Sequence, residues 1–258
     1  MWRLCAGLML GLTSMVANAE LVAETLRWRQ GGMAFEGYLA YDDANLERRP
    51  AVLVVPEWWG INDYSRMRAE QLAEMGYLAL VVDMYGNGRS TTDAEQAAAW
   101  AKEVRGERMR ERMAAAFKAL QGHKLADREN VAAIGFCFGG TAVLEFAYGG
   151  APVNGVVSFH GNLPAPRPAD LERIGARILV LHGADDPFVK PQDIEAFMDG
   201  MRKAKADWQM IVYGNAVHAF SNPDADLAGL EGVAYEERAA ERSWAHMQDF
   251  FAEIFGRY

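Results

Sequence analysis

The stretch "IGFCFGG", Ile134 to Gly140, sets a cysteine between glycines, with the apolar run "NVAAIGF" leading into it and "TAVLEFA" leading away. Continuous apolar residues without polar alternation read as a strand covered on both faces, and the residues from Gly140 to Tyr148 read as a helix. Cys137 therefore falls where a strand ends and a helix begins. Two readings are open there: a small buried hydrophobe, or a thiol held up on a tight turn whose glycines make room for a strained backbone.

Runs of the same kind recur along the chain. They are "AVLVV" at Ala51–Val55, "LALVV" at Leu78–Val82, "GVVSF" at Gly155–Phe159, "RILVLH" at Arg177–His182 and "WQMIVY" at Trp208–Tyr213. Helical patterns separate them: Asn62–Met75, Thr92 to about Leu120 with a break at Gly106, Pro191–Met201 and Tyr235–Phe255. Asn62 is a candidate cap, and Thr92 with Glu95 has capping-box spacing. Such alternation predicts a doubly wound, mostly parallel α/β sheet with helices on both faces. Around Leu26–Trp28 and Met33–Tyr41 the sequence predicts an antiparallel hairpin turning at Gly31-Gly32. The alternating charges of Arg105–Met113, "RGERMRERM", predict a solvated helix face.

With 258 residues, 51% of them apolar, the chain can bury one sizeable core, which predicts a single domain. A net charge of −9 argues against nucleic acid or an anionic membrane as partner. At the N-terminus, Arg3, the apolar stretch Leu4–Val16 and the small residues Ala17-Asn18-Ala19 have the pattern of an export signal, so residues 20–258 are expected as the mature domain in the periplasm or outside the cell. Cys5 would leave with that segment. Cys137 would then be the one cysteine of the mature chain, without a partner for an internal disulfide, leaving an inert thiol or a reactive one.

Two further segments bear on that choice. "LHGADDPFV", Leu181–Val189, places Asp185 and Asp186 at the carboxyl end of a strand, where α/β sheets bind ligands. The common His-Gly-x-x-Asp spacing favours Asp186, leaving Asp185 to shape the turn. "VYGNAVHAF", Val212–Phe220, places His218 after the last strand. Of the five histidines two follow both Cys137 and an acid, and His246 falls in a helical pattern, which leaves His218; the chain order nucleophile, acid, histidine is that of the α/β-hydrolase triad.

With "VVPEWWGIND", "VVDMYGNG" and "SFHG" added to these segments, the sequence from about Leu26 to its C-terminus resembles the dienelactone hydrolase family. The resemblance implies an α/β-hydrolase fold without a large lid domain, Cys137 as nucleophile, His218 as base and Asp186 as its orienting acid. It implies a guarding carboxylate at Glu57 and oxyanion donors at the backbone N–H groups of Trp58 and Phe138. Candidate substrate contacts are Trp59, Tyr85, Arg89 and His160. One departure bears on the substrate: where family members that act on the dienelactone hold its carboxylate with two arginines, this chain has Asn87 and Asn222, with Arg89 two places off.

The expected activity is hydrolysis of a lactone or small activated ester, with no metal or cofactor. A general carboxylesterase or thioesterase of the same chemistry is the alternative, and the sequence leaves the oligomeric state open. A non-catalytic binding module would be expected to have lost a triad residue, and a redox-sensing thiol would need a resolving cysteine that the mature chain lacks.

Overall fold

The computed structural model describes residues 20–44 and 46–256, so the expected export segment, residues 1–19 with Cys5, lies outside the described residues. Strands β1 (Leu21–Gln30) and β2 (Met33–Asp42) form the expected hairpin, turning through Gly31 and Gly32 at φ of 56° and 82°. The remaining strands are β3 (Arg49–Val55), β4 (Leu78–Val81), β5 (Ala126–Phe136), β6 (Gly155–Phe159), β7 (Arg177–Gly183) and β8 (Trp208–Tyr213). They make one eight-stranded sheet in the order β1-β2-β4-β3-β5-β6-β7-β8, parallel from β4 to β8. β2 meets β4 antiparallel.

Burial on both faces explains the unbroken apolar runs. On β3, Ala51, Leu53 and Val55 face one core, which also takes residues of helices α2 (Ala94–Val104), α3 (Glu107–Gln121), α4 (Phe138–Tyr148) and α5 (Pro191–Ala204). Val52 and Val54 face the other, closed by helices α1 (Asp63–Glu74) and α6 (Glu237–Phe255). The chain is an α/β-hydrolase fold without a large lid. Its longest connection near the site, residues 214–236, carries only a short 3-10 turn, Ala225–Ala228. Among the described residues no helix is long and apolar enough to cross a membrane.

Two local expectations change. The cap of α2 is Asp93, not Thr92: its carboxylate accepts from the N–H groups of Glu95 at 2.8 Å and Gln96 at 3.0 Å, a stronger acceptor one residue closer to the first turn. The Arg105–Met113 run is not a uniformly solvated face, because Met109, Arg110, Arg112 and Met113 are buried. Arg110 makes a bidentate pair with Asp170 at 2.8 and 2.9 Å and reaches Glu145 at 2.6 Å, so its charge is matched inside. Asn62 does cap α1, exchanging hydrogen bonds with Ser65, and the chain does break at Gly106, between α2 and α3.

The strand order reverses between β3 and β5, and both strands end there at the same level. This is the crevice in which open α/β sheets place ligands. Backbone contact sets its geometry: a Cβ on Gly135 would lie 2.0 Å from the Gly139 carbonyl oxygen, and one on Gly139 would lie 2.2 Å from that of Val55. Gly139→Ala is therefore expected to lower the unfolding free energy by about 1–3 kcal/mol through overpacking. Gly175→Ala, with nothing within 4 Å of the new methyl, should stay within about 0.5 kcal/mol. Urea titrations of both variants decide it, and equal losses would contradict the close approach of α4 to β3.

Candidate active site

Cys137 caps α4 with φ of 54° and ψ of −114°, outside the usual range for a residue with a side chain. Its N–H is held at two acceptors, the Phe159 carbonyl at 3.0 Å and His160 Nδ1 at 3.1 Å. Since Nδ1 accepts, the His160 proton sits on Nε2, which donates to Ser221 Oγ at 2.8 Å. Ser221 is linked in turn to the Tyr64 hydroxyl at 2.8 Å. Burial holds the His160 pKa well below the ordinary imidazole value, keeping the ring a neutral acceptor. Left-handed φ recurs at His160 and at Ala219, beside His218, so backbone strain gathers around this one point.

His218 Nδ1 meets Asp186 Oδ2 at 2.8 Å, with both side chains buried. The other Asp186 oxygen accepts the Phe188 N–H at 2.9 Å, which fixes the carboxylate. Asp185 is exposed and serves the turn through its N–H to the Ala216 carbonyl. His218 and Cys137 both line the same cavity, and the sulfur is near enough to act on the charge of the ring. Burial works against a charged ring, but an ionised sulfur at Cys137 and the Asp186 carboxylate outweigh it, so that once the sulfur is negative the His218 pKa is pushed up to about 10.

Glu57 follows the end of β3 and is buried beside this pair. Asn222 Nδ2 donates to its Oε2 at 2.9 Å. Burial pushes the Glu57 pKa up to about 7, against the opposing pull of the His218 charge and the Asn222 hydrogen bond. A cavity of about 950 Å³ opens over Glu57, Cys137 and His218, and Trp58, Trp59 and Phe138 also line it. Among the described residues no group of three or more His, Cys, Asp or Glu side chains could hold a metal ion.

The remaining residues singled out from sequence lie elsewhere. Tyr85 is buried, and its hydroxyl donates to the Trp58 carbonyl at 2.8 Å, bracing the peptide that follows Trp58. Arg89 is turned onto the Tyr85 and Gly86 carbonyls and over the Trp100 ring at 4.9 Å, and it does not line the cavity. His160 sits beneath the cysteine rather than in the cavity wall. Asn222 was legible only as a position lacking an arginine, and its hydrogen bond to Glu57 links residues 165 apart. Phe188, edge-on to His218 at 5.1 Å, carried no sequence signal beyond its place in the motif with Asp186.

A model of the dienelactone hydrolase family matches residues 35–255. The crystal structure of a dienelactone hydrolase-like promiscuous phosphotriesterase from metagenomic libraries superposes with a TM-score of 0.88 at 40% identity, covering 91% of this chain and 98% of that one. A Bradyrhizobium protein described as a probable 2-oxo-3-(5-oxofuran-2-ylidene)propanoate lactonase is 27% identical over 208 residues, 76% of this chain and 81% of the relative. The chain belongs to the dienelactone hydrolase family and is a hydrolase of esters and lactones.

The Glu57 carboxyl titrates at about 7 in the folded chain against 4.5 for the free side chain. Folded protein thus holds this proton more tightly, and the associated stability is complete below pH 4.5 and lost as the pH rises through 7. Above that window the buried carboxylate is worth a loss on the order of 3 kcal/mol. Because Glu57→Gln stays neutral throughout, the unfolding free energy of wild type minus variant should fall by that order between pH 4.5 and 8. A difference independent of pH in urea titrations would contradict the buried acid.

Proposed function

We propose that this member of the dienelactone hydrolase family cleaves a lactone or small activated ester through a thioester on Cys137, with His218 as base and Asp186 as the acid that orients it. The observation that carries the reading is His218 held by Asp186 at 2.8 Å on one side while it lines the same cavity as Cys137 on the other. In this reading the sulfur gives its proton to His218 and attacks the carbonyl carbon. Negative charge moves to the carbonyl oxygen, where the N–H groups of Trp58 and Phe138 receive it. Phe138 begins α4, whose dipole favours negative charge at that end. As the tetrahedral intermediate collapses, the imidazolium protonates the leaving alkoxide and the thioester remains. His218 then takes a proton from water, hydroxide attacks the thioester, and the acid departs as the proton returns to sulfur.

Asp186 keeps Nδ1 as the donor, so Nε2 is free for these transfers. Glu57 opposes a permanent negative charge on the nearby sulfur and guards the resting thiol from oxidation until substrate arrives. That protection suits an oxidising compartment, and export through residues 1–19 belongs to the same proposal. N-terminal sequencing of the protein from its native compartment should begin at Glu20 or within a residue or two, and an intact Met1 would remove the export reading.

Turnover on a panel of p-nitrophenyl esters and lactones tests the chemistry. Cys137→Ala should abolish it. Asp186→Asn should lower kcat by orders of magnitude, up to about 10⁴-fold, since the wrong tautomer faces the sulfur. Asp185→Asn should leave kcat within about threefold, because that side chain is exposed and away from the ring. Equal losses in two well-folded aspartate variants would overturn the assignment.

A further inference from the structure

The cavity over Cys137 is larger than hydrolysis of a small lactone requires. At about 950 Å³ it lies at the upper end of the roughly 300–1,000 Å³ that accommodates drug-sized ligands. Apolar parts of its wall beyond the sulfur come from separate parts of the fold: Met109 near the start of α3, Leu163 after β6, Phe188 and Val189 after β7, and Leu230 and Val233 in the 214–236 connection. Phe188 is 49% exposed despite lying against His218. A ligand that covered it would remove apolar surface from water at the reacting end.

Charge in the same cavity is one-sided. Among the described residues that line it, only Arg105 and His218 can be positive, and His218 is engaged by Asp186 and Cys137. Nearby guanidinium groups are committed elsewhere: Arg89 to backbone carbonyls, Arg112 to the Met84 carbonyl, Arg110 to Asp170 and Glu145. Glu145 is neutralised by that pair, whereas Asp193, Asp224 and Glu231 line the cavity without an ion pair among the described residues. Against these three acids the cavity offers a substrate carboxylate one cation without an ion pair among the described residues, Arg105, so the carboxylate would shed its hydration where negative charge prevails.

We propose that this site takes a bulky, apolar ester or lactone without negative charge, in place of a small carboxylate-bearing lactone; the inference rests on the hydrolase reading of the same cavity. Binding can be separated from turnover by calorimetry on the full chain with uncleaved amides: N-methylbutanamide, N-methyloctanamide, and the anionic mono-N-methylamide of suberic acid, which has the octanamide length. Each buried methylene tightens binding by up to about fourfold, so N-methyloctanamide should bind at least tenfold more tightly than the butanamide. It should also bind at least tenfold more tightly than the suberate amide. In the double variant Asp224→Lys/Glu231→Lys the second gap should narrow while the first persists.

Equal affinity for the two neutral amides, tighter binding of the anion, or no binding of N-methyloctanamide at millimolar concentration would overturn the inference. Hydrolysis of p-nitrophenyl butyrate, run in parallel, reports on the other reading. A chain that hydrolyses it yet fails the amide comparison loses the inference and keeps the hydrolase mechanism. One that shows the amide preferences but cleaves no ester keeps the ligand class and loses the mechanism.

Discussion

The structure turns on the approach of two backbones that leave no room for a side chain. Gly139, in the first turn of α4, lies against the carbonyl at the end of β3, and Gly135, at the end of β5, lies against Gly139. With both glycines in place, α4 starts directly over the switch between β3 and β5, and Cys137 is raised at its first turn. Glu57, two residues beyond Val55, is brought to the same point by the same contact. Strained φ at Cys137 is of the kind that costs roughly 1–3 kcal/mol, and it is held by bonds from the Cys137 N–H to the end of β6 and to His160.

Around that turn, burial and proximity act in opposite directions on neighbouring acids and bases. Glu57 is desolvated, and the hydrogen bond from Asn222 opposes that burial without offsetting it, so its neutral form gains. His218 is desolvated too, yet Asp186 and the sulfur favour its charged form more than burial disfavours it. His160, just below, is buried and faces the charge of His218, so it stays neutral, which is the state its acceptor role requires. Three buried titratable groups within one network thus hold their protons differently, and environment rather than residue type sets the division.

Much of this is readable from sequence because its cause is local or periodic. Unbroken apolar runs mark two-sided strands, so β3 to β8 and their alternation with helices follow directly, and the elbow glycines flank Cys137 within two residues. Asp93 displaced Thr92 as the α2 cap because neighbouring cap candidates differ only in how each side chain meets the first free N–H groups. Arg110 and Arg112 read as solvent-facing because charge pattern does not reveal a distant partner, and Asp170 lies 60 residues from Arg110. Asn222 and Glu57, His160 and Ser221, Tyr85 and Trp58 are likewise pairs made by the fold. Arg89 shows the reverse case: it lies near the family's arginine position in sequence, while its guanidinium is spent on backbone carbonyls.

The central claim is that Cys137 carries the acyl group between two chemical steps. The most direct measurement is intact-protein and peptide mass spectrometry after rapid acid quench of the enzyme mixed with p-nitrophenyl butyrate. The account predicts an added butyryl mass located on the peptide containing Cys137, appearing with the burst of nitrophenolate, decaying as substrate is exhausted and absent in Cys137→Ala. Turnover with no adduct on that peptide, or an undiminished burst in the alanine variant, would contradict it.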